Sequence, residues 1–385
     1  MKDFVSNLST KIFFGPSHMS KISAEIKNYG KRVLLLYGFG SIKKSGLHKF
    51  ITDQLKNENI FYTELSGVEP NPDISTVRKA VEIIKQNDLD FILAVGGGSV
   101  IDCSKAIATA VFYNGDPWDF LEYKVKPEKA LPIGSVLTLS ATGSEMNGGS
   151  VISNRELKLK RAFSSEIMKP VFSFLNPELT YSVSKYQTAA GSVDIFVHVA
   201  EQYFSSIENT FLQNRIAESV FNTVIEYAQI AIDEPENYNA RANLMWASTI
   251  GLNGLLGFGK IGDWSTHMIE HELSAVYDIT HGAGLAVILP NWMRYVLNED
   301  NKSIFCEYGR NVFDLEGDDI DIANIAIDRT QQFFKLLGMP TTLKELNIDS
   351  SMFDFMAENT VKFGKIGNFV KLGKEDVLAI LVNSL

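Results

Sequence analysis

Cysteine is nearly absent: Cys103 and Cys306 are the only two among 385 residues, too few for a disulfide framework. No apolar run approaches the roughly 18 residues that a membrane span needs. The opening Met-Lys-Asp-Phe-Val-Ser-Asn lacks the apolar stretch of a signal peptide. These absences predict a cytoplasmic protein with no membrane partner. Positive charge is also short, with 36 Lys and Arg against 46 Asp and Glu and a net charge of -10. That balance argues against a nucleic-acid partner, because phosphate backbones need clustered cations. It leaves small molecules open, since one local basic group can still hold a phosphate. Low-complexity segments, internal repeats and long flexible linkers are missing too.

What is present fits a soluble globular chain, at 45% apolar and 21% charged. The length exceeds one ordinary core and predicts two domains. Val33–Tyr37, Asn59–Leu65, Phe91–Val95 and Ile133–Leu137 read as strands. Segments such as Asp73–Gln86 repeat apolar residues at helical spacing between them. Strands without polar alternation, separated by helices, predict a parallel sheet covered on both faces. From about Gln187 the pattern becomes helical, over Gln187–Ser206, Phe211–Asp233, Asn239–Leu256 and Trp264–Tyr277. The turn formers of Asn176–Thr180 mark the boundary. The expectation is an α/β dinucleotide-binding domain over residues 1–180 and a helical, metal-binding catalytic domain over 181–385. A cleft between domains is the default place for a ligand.

Gly96-Gly97-Gly98-Ser99 follows a strand and opens a helix. Glycines there let backbone approach a pyrophosphate, and free N–H groups at the helix start attract its charge. Ser99 adds a hydroxyl at or near the N-cap. The spacing is neither Gly-x-Gly-x-x-Gly nor a Walker loop, so a tight turn without ligand is the competing reading. Thr138 to Glu145 forms a second polar cluster after the Ile133–Leu137 strand, and two such clusters at strand ends favour a dinucleotide. Glu69-Pro70-Asn71-Pro72 is a candidate lining for its adenosine side. The Val33–Tyr37 strand ends in Gly38-Phe39-Gly40-Ser41-Ile42-Lys43-Lys44, with no acid and two lysines. An acid at that point would repel a 2′-phosphate, so the pattern favours NADP(H) over NAD(H).

Four of the six histidines lie between 198 and 281. Asp194 and His198 stand at i and i+4 on one helix face, as do His267 and His271, and His281 follows before Gly282. Imidazole and carboxylate are ligands of divalent transition metals. A lone histidine on an apolar helix is more often a satisfied core residue. Three or four crowded beside an acid are not so easily dismissed. Spacing leaves five candidates for about four protein ligand positions. The glutamate of His267-Met268-Ile269-Glu270-His271 is displaced from the metalloprotease His-Glu-x-x-His, which makes a protease a poor reading.

Gly191-Ser-Val-Asp194-Ile-Phe-Val-His198-Val-Ala-Glu201, Gly262-Asp-Trp264 to Ala275 and Tyr277 to Ala286 resemble the iron-containing alcohol dehydrogenases. With Gly96–Ser99, the resemblance runs through nearly the whole chain. Gly40–Lys44 and Gly262-Asp263-Trp264 are most similar to the butanol dehydrogenase and NADPH-linked aldehyde reductase branch. The resemblance implies a Rossmann-like domain plus a helical domain, the fold shared with dehydroquinate synthase. It implies one metal, Fe2+ or Zn2+, on Asp194, His198, His267 and His281, with His271 beside the nicotinamide as a proton relay. It implies a dinucleotide lined by Asn71, Gly97, Gly98, Ser99, Thr138, Thr142 and Lys160, to which Gly38 and Ser41 are added as candidates. Lys160 is reached only this way, because Lys158, Lys160 and Arg161 read as a solvated charged segment. A homodimer is also implied, with Ile12–Gly15 extending a sheet. The expected reaction is hydride transfer between NAD(P)(H) and a small primary alcohol or aldehyde such as butanol or butanal. A sugar-phosphate lyase of the dehydroquinate synthase type is the alternative, though no basic groups stand out around 253–285. A non-enzymatic dinucleotide sensor is the third reading.

Overall fold

Apolar runs that lack polar alternation can hide both faces only inside a covered parallel sheet, and that is where they lie. The strands are β1 (Lys11–Phe14), β2 (Arg32–Tyr37), β3 (Phe61–Leu65), β4 (Phe91–Gly96), β5 (Ile133–Leu137), β6 (Gly149–Asn154), β7 (Leu159–Ser164) and β8 (Phe172–Leu175). Six of them form one sheet in the order β1-β8-β5-β4-β2-β3, and every pairing in it is parallel. The computed structural model describes residues 1–385 and divides into two compact units, Asn7–Val183 and Met1–Ser6 with Ser184–Leu385. The sheet belongs to the first, with helices α1 (Leu47–Asn57), α2 (Ile74–Gln86) and α3 (Gly98–Ala110) in its connections. Asp73 is the N-cap of α2, accepting from Ser75 N at 2.9 Å.

β1 and β8 are too short and too mixed for a pattern to reveal. Phe172-Ser173-Phe174-Leu175 carries a serine in a fully buried strand. Its hydroxyl is satisfied, donating to Glu145 O and accepting from Ser135 Oγ, both at 2.7 Å. Phe13 and Phe174 stack at 4.4 Å and so fasten the edge strand.

The expectation of a solvated charged segment at 158–161 is wrong for two of its three cations. Lys160 and Arg161 lie on β7 and are only 5% and 9% exposed. β7 pairs antiparallel with β6, and β6 docks on α3 through Asp102. Ser150 Oγ donates to Asp102 O at 2.7 Å and Val151 N to its carboxylate at 2.9 Å. Asp102 also accepts from Ser144 Oγ. Beside it, fully buried Lys105 donates to Ser144 Oγ (2.8 Å), Asn147 Oδ1 (3.0 Å) and Gly149 O (2.7 Å). One pair on α3, a buried Lys105 and a half-buried Asp102, therefore holds both the loop after β5 and the hairpin.

The second unit is helical: α4 (Lys185–Tyr203), α5 (Phe211–Asp233), α6 (Tyr238–Leu252), α7 (Ser265–Tyr277), α8 (His281–Val296), α9 (Lys302–Phe313), α10 (Asp319–Leu336), α11 (Phe353–Thr360) and α12 (Lys374–Asn383). Ser184 starts α4, its hydroxyl accepting from Gln187 N. From Thr188 to Tyr203 every residue of α4 is buried. A helix buried all round is the core of its unit, so each polar group on it must find a partner inside. No helix is long and apolar enough to cross a membrane.

Burial draws the Lys105 ammonium down from an ordinary 10.5 to about 8, although the charge of Asp102 pulls the other way. The folded value lies below the unfolded one, so between pH 8 and 10.5 the unfolded chain holds the extra proton. Stability contributed by this lysine then rises with pH across that window. In urea titrations the wild type is expected to gain roughly 1–3 kcal/mol on Lys105→Met over that range. A gap independent of pH would contradict a charged, desolvated Lys105.

Candidate metal centre and dinucleotide site

Polar side chains on a helix that is buried all round need a reason, and on α4 they face one another across helix contacts. Asp194 is 3% exposed and His198 6%. The Asp194 Oδ1 atom lies 3.4 Å from His198 Nδ1, 3.6 Å from His267 Nε2 and 3.6 Å from His281 Nε2. Asp194 Oδ1, His198 Nδ1 and His267 Nε2 are buried and make no hydrogen bond. Unpaired buried polar atoms are costly, and here they converge on one spot. Ligands at the usual 2.0–2.2 Å from a tetrahedral metal sit roughly 3.3–3.6 Å apart. The donor set therefore fits a divalent cation.

The partners of the outer ring nitrogens sharpen that fit. His267 Nδ1 pairs with Glu201 Oε2, and His281 Nδ1 with Glu270 Oε2; both carboxylates are fully buried. A carboxylate that takes the Nδ1 proton leaves Nε2 with its lone pair facing Asp194. Without a metal the charges compensate one another, and a bound cation would take the place of the His267 Nε2 proton. Burial pushes Asp194 up, but the neighbouring imidazoles, His198 first, outweigh it and hold the carboxyl below its ordinary range. Burial pulls His198 down to about 3. Burial also pulls on His267, yet Glu201 and Asp194 overcome it and raise it to about 10. Three carboxylates among three imidazoles make a field that a cation satisfies.

The local sequence explains how α7 and α8 come this close. Glu201 accepts from Thr266 N (2.6 Å) and His267 N (3.2 Å), so its charge sits at the N-terminus of α7. Gly282 packs directly on the Ala190 carbonyl of α4, where any side chain would collide. A Cβ on Gly284 would stand 2.8 Å from Glu270 Cγ. These glycines let α8 carry His281 against Glu270 and Asp194. His271 is buried beside both His281 and His267, with ring centroids 5.7 and 6.3 Å away.

Glu201 and Glu270 had no assigned role on spacing alone. Glu201 lies seven residues after Asp194, on the same helix face, and Glu270 three after His267. The displaced glutamate that argued against a protease thus orients a histidine.

In the α/β unit, the parallel strands end along one edge of the sheet. The order reverses between β2 and β4, the crevice where open α/β sheets bind ligands. Gly97 is the N-cap of α3 and its free N–H groups open there. Ser99 lies near the N-cap, as the second residue of the helix, but its hydroxyl donates to Pro70 O and makes no capping bond. Gly98 packs on Thr142, with Thr142 Cβ 2.9 Å from where a Cβ would stand. Thr138 N donates to Gly96 O at 3.0 Å, joining the two polar clusters. Ser153 N donates to Pro72 O at 2.8 Å and pairs in register with Lys160. Asn71, Ser99, Thr138, Thr142 and Lys160 are thereby gathered around the helix start. Gly38 and exposed Ser41 stand on the β2 side of the crevice. Lys43 Nζ lies 5.3 Å from the Tyr37 ring centroid. Folding brings Glu64 of β3 nearby, but its carboxylate is occupied by Tyr37 Oη (2.6 Å) and His48 Nε2 (3.0 Å).

Known families match this arrangement from end to end. A model of the iron-containing alcohol dehydrogenases matches residues 9–177, and one of the C-terminal region of the Fe-containing alcohol dehydrogenase family matches 188–385. NADH-dependent butanol dehydrogenase A of Clostridium acetobutylicum is 49% identical over the whole of both chains. An NADPH-dependent aldehyde reductase of Escherichia coli is 40% identical over 94% of each. The crystal structure of NADH-dependent butanol dehydrogenase A from Thermotoga maritima superposes with a TM-score of 0.97 at 41% identity, covering 100% of this chain and 99% of the other. The chain belongs to the iron-containing alcohol dehydrogenase family.

Proposed function

We propose that this nicotinamide-dependent alcohol dehydrogenase interconverts a small primary alcohol and its aldehyde, butanol and butanal being the model pair. Asp194, His198, His267 and His281 would hold one divalent metal. The observation that carries the reading is the convergence of three buried atoms without a hydrogen bond, Asp194 Oδ1, His198 Nδ1 and His267 Nε2, with His281 Nε2 at 3.6 Å from the same oxygen. Imidazole and carboxylate suit Fe2+ and Zn2+ alike. When bound, the metal supplies Lewis acidity toward the substrate oxygen, and the dinucleotide supplies or accepts the hydride. Glu201 and Glu270 keep Nδ1 of His267 and His281 protonated and the rings fixed. His271 is assigned to hold the hydroxyl proton on its way to solvent. Asn71, Gly97, Gly98, Ser99, Thr138, Thr142 and Lys160, with Gly38 and Ser41, are assigned to the dinucleotide.

Relatives named for NADH and for NADPH both exist, so membership alone leaves the choice to local residues. Ser41, Lys43 and Lys44 beside a strand end without an acid favour NADP(H). The edge strand β1 suits a homodimer, and two buried, unpaired cysteines suit the cytoplasm. The lyase reading loses support because the only lysine or arginine in 253–285, Lys260, is committed to Asn214 Oδ1 (2.6 Å) and Tyr203 O (3.3 Å).

Metal-replete protein is expected to oxidise NADPH with butanal in net, sustained fashion, faster than NADH at equal concentration. His267→Ala should lose both metal and activity. Full metal content with near-normal reduction in that variant would sink the ligand assignment. Glu201→Gln places an amide opposite His267 Nδ1 and disturbs the tautomer. Its metal affinity, read by chelator competition, is expected to fall about 10–100-fold. An unchanged affinity would remove Glu201 from the account.

A further inference from the structure

Trp264 occupies a place that suits almost any small residue better. It is the N-cap of α7, where Ser, Thr, Asn or Asp would bond a free N–H, and it makes no side-chain cap bond. Its backbone is left-handed, φ 67° and ψ 3°, which is strained for a bulky side chain. The flanks force that conformation. Asp263 N donates to Glu201 O at 2.7 Å, and the Asp263 carboxylate accepts from Ser265 N (3.1 Å), Asn368 N (2.9 Å) and Phe369 N (2.7 Å). On the other side Met268 N donates to Trp264 O at 3.1 Å. Gly262 leaves room for the indole: a Cβ there would stand 2.6 Å from its Nε1.

The indole that results is partly exposed and lies against two buried imidazoles. Its centroid is 5.7 Å from His267 and 6.3 Å from His198, at interplanar angles of 64° and 60°. Strain held by an over-determined backbone marks sites where the side chain's position matters. Here the side chain delivers a flat, uncharged surface beside the proposed metal ligands. Phe258, the other aromatic of this stretch, is stacked on Phe4 at 5.2 Å and 7°.

We propose that the Trp264 indole is a specificity-determining wall. It would admit the unbranched alkyl chain of a short aliphatic aldehyde and exclude branched or aromatic ones. The inference rests on the metal-dependent reading above. The 253–285 stretch has no arginine and its one lysine, Lys260, is committed elsewhere, which suits an uncharged alkyl chain.

The test is kcat/KM for benzaldehyde and 2-ethylbutanal relative to butanal, on full-length, metal-replete protein, with metal content measured in parallel. Trp264→Ala is expected to raise the bulky-to-butanal ratio by roughly tenfold or more, and Trp264→Phe by less. A ratio that stays within about threefold of wild type, or falls, overturns the wall. Trp264→Gly relieves the backbone strain as well. A higher Tm with an unaltered ratio would show a conformational role alone and overturn the proposal. Should Trp264→Ala not fold or not retain metal, Trp264→Phe and Trp264→Leu decide by the same criterion. Wild-type protein without turnover of any aldehyde would instead defeat the broader reading, which keeps the two failures apart.

Discussion

Everything at the candidate metal centre depends on one buried carboxylate, Glu201. It projects from a helix whose surroundings are apolar, so its charge must be neutralised by what it meets. One oxygen takes two backbone N–H groups at the start of α7, and the other takes His267 Nδ1. Its own carbonyl receives Asp263 N and so sets the turn that precedes the helix. The same residue thus fixes where α7 begins, how His267 is rotated and how the strained backbone at Trp264 is entered. Glu270 repeats the device for His281 on α8. A site assembled this way has two of its imidazoles, His267 and His281, oriented by charged partners as well as by packing.

The α/β unit solves a parallel problem with opposite charge. A polar loop after β5 and a hairpin must both lie close to the start of α3, yet neither is long enough to pack a core of its own. Lys105 and Asp102 draw them in from beneath, and Gly98 meets Thr142 from above. Buried charge is expensive, and here it falls where two irregular segments have to be placed against a regular one.

Much of this was legible before folding. The long helices declare themselves through 3.6-residue periodicity, and β2, β4 and β5 through short, unbroken apolar runs. β8 escaped because four residues containing a serine carry no pattern, and β1 was reached only through the family resemblance. Lys160 and Arg161 looked solvated because burial of a charged strand depends on its tertiary neighbours: β7 pairs with β6, which Asp102 fastens to α3. Asp194 and His198 were visible as a helical pair. The partnership of Glu201 with His267, and of Glu270 with His281, was not. It depends on how α4, α7 and α8 cross, which no local spacing encodes.

The central claim is that three imidazoles and the Asp194 carboxylate form a single metal pocket. X-ray absorption at the metal edge of anaerobically purified protein tests it most directly. Three imidazole nitrogens and a carboxylate oxygen at about 2.0–2.2 Å are the predicted inner ligands. A spectrum with fewer than three imidazoles, or with sulfur in the inner sphere, would contradict it.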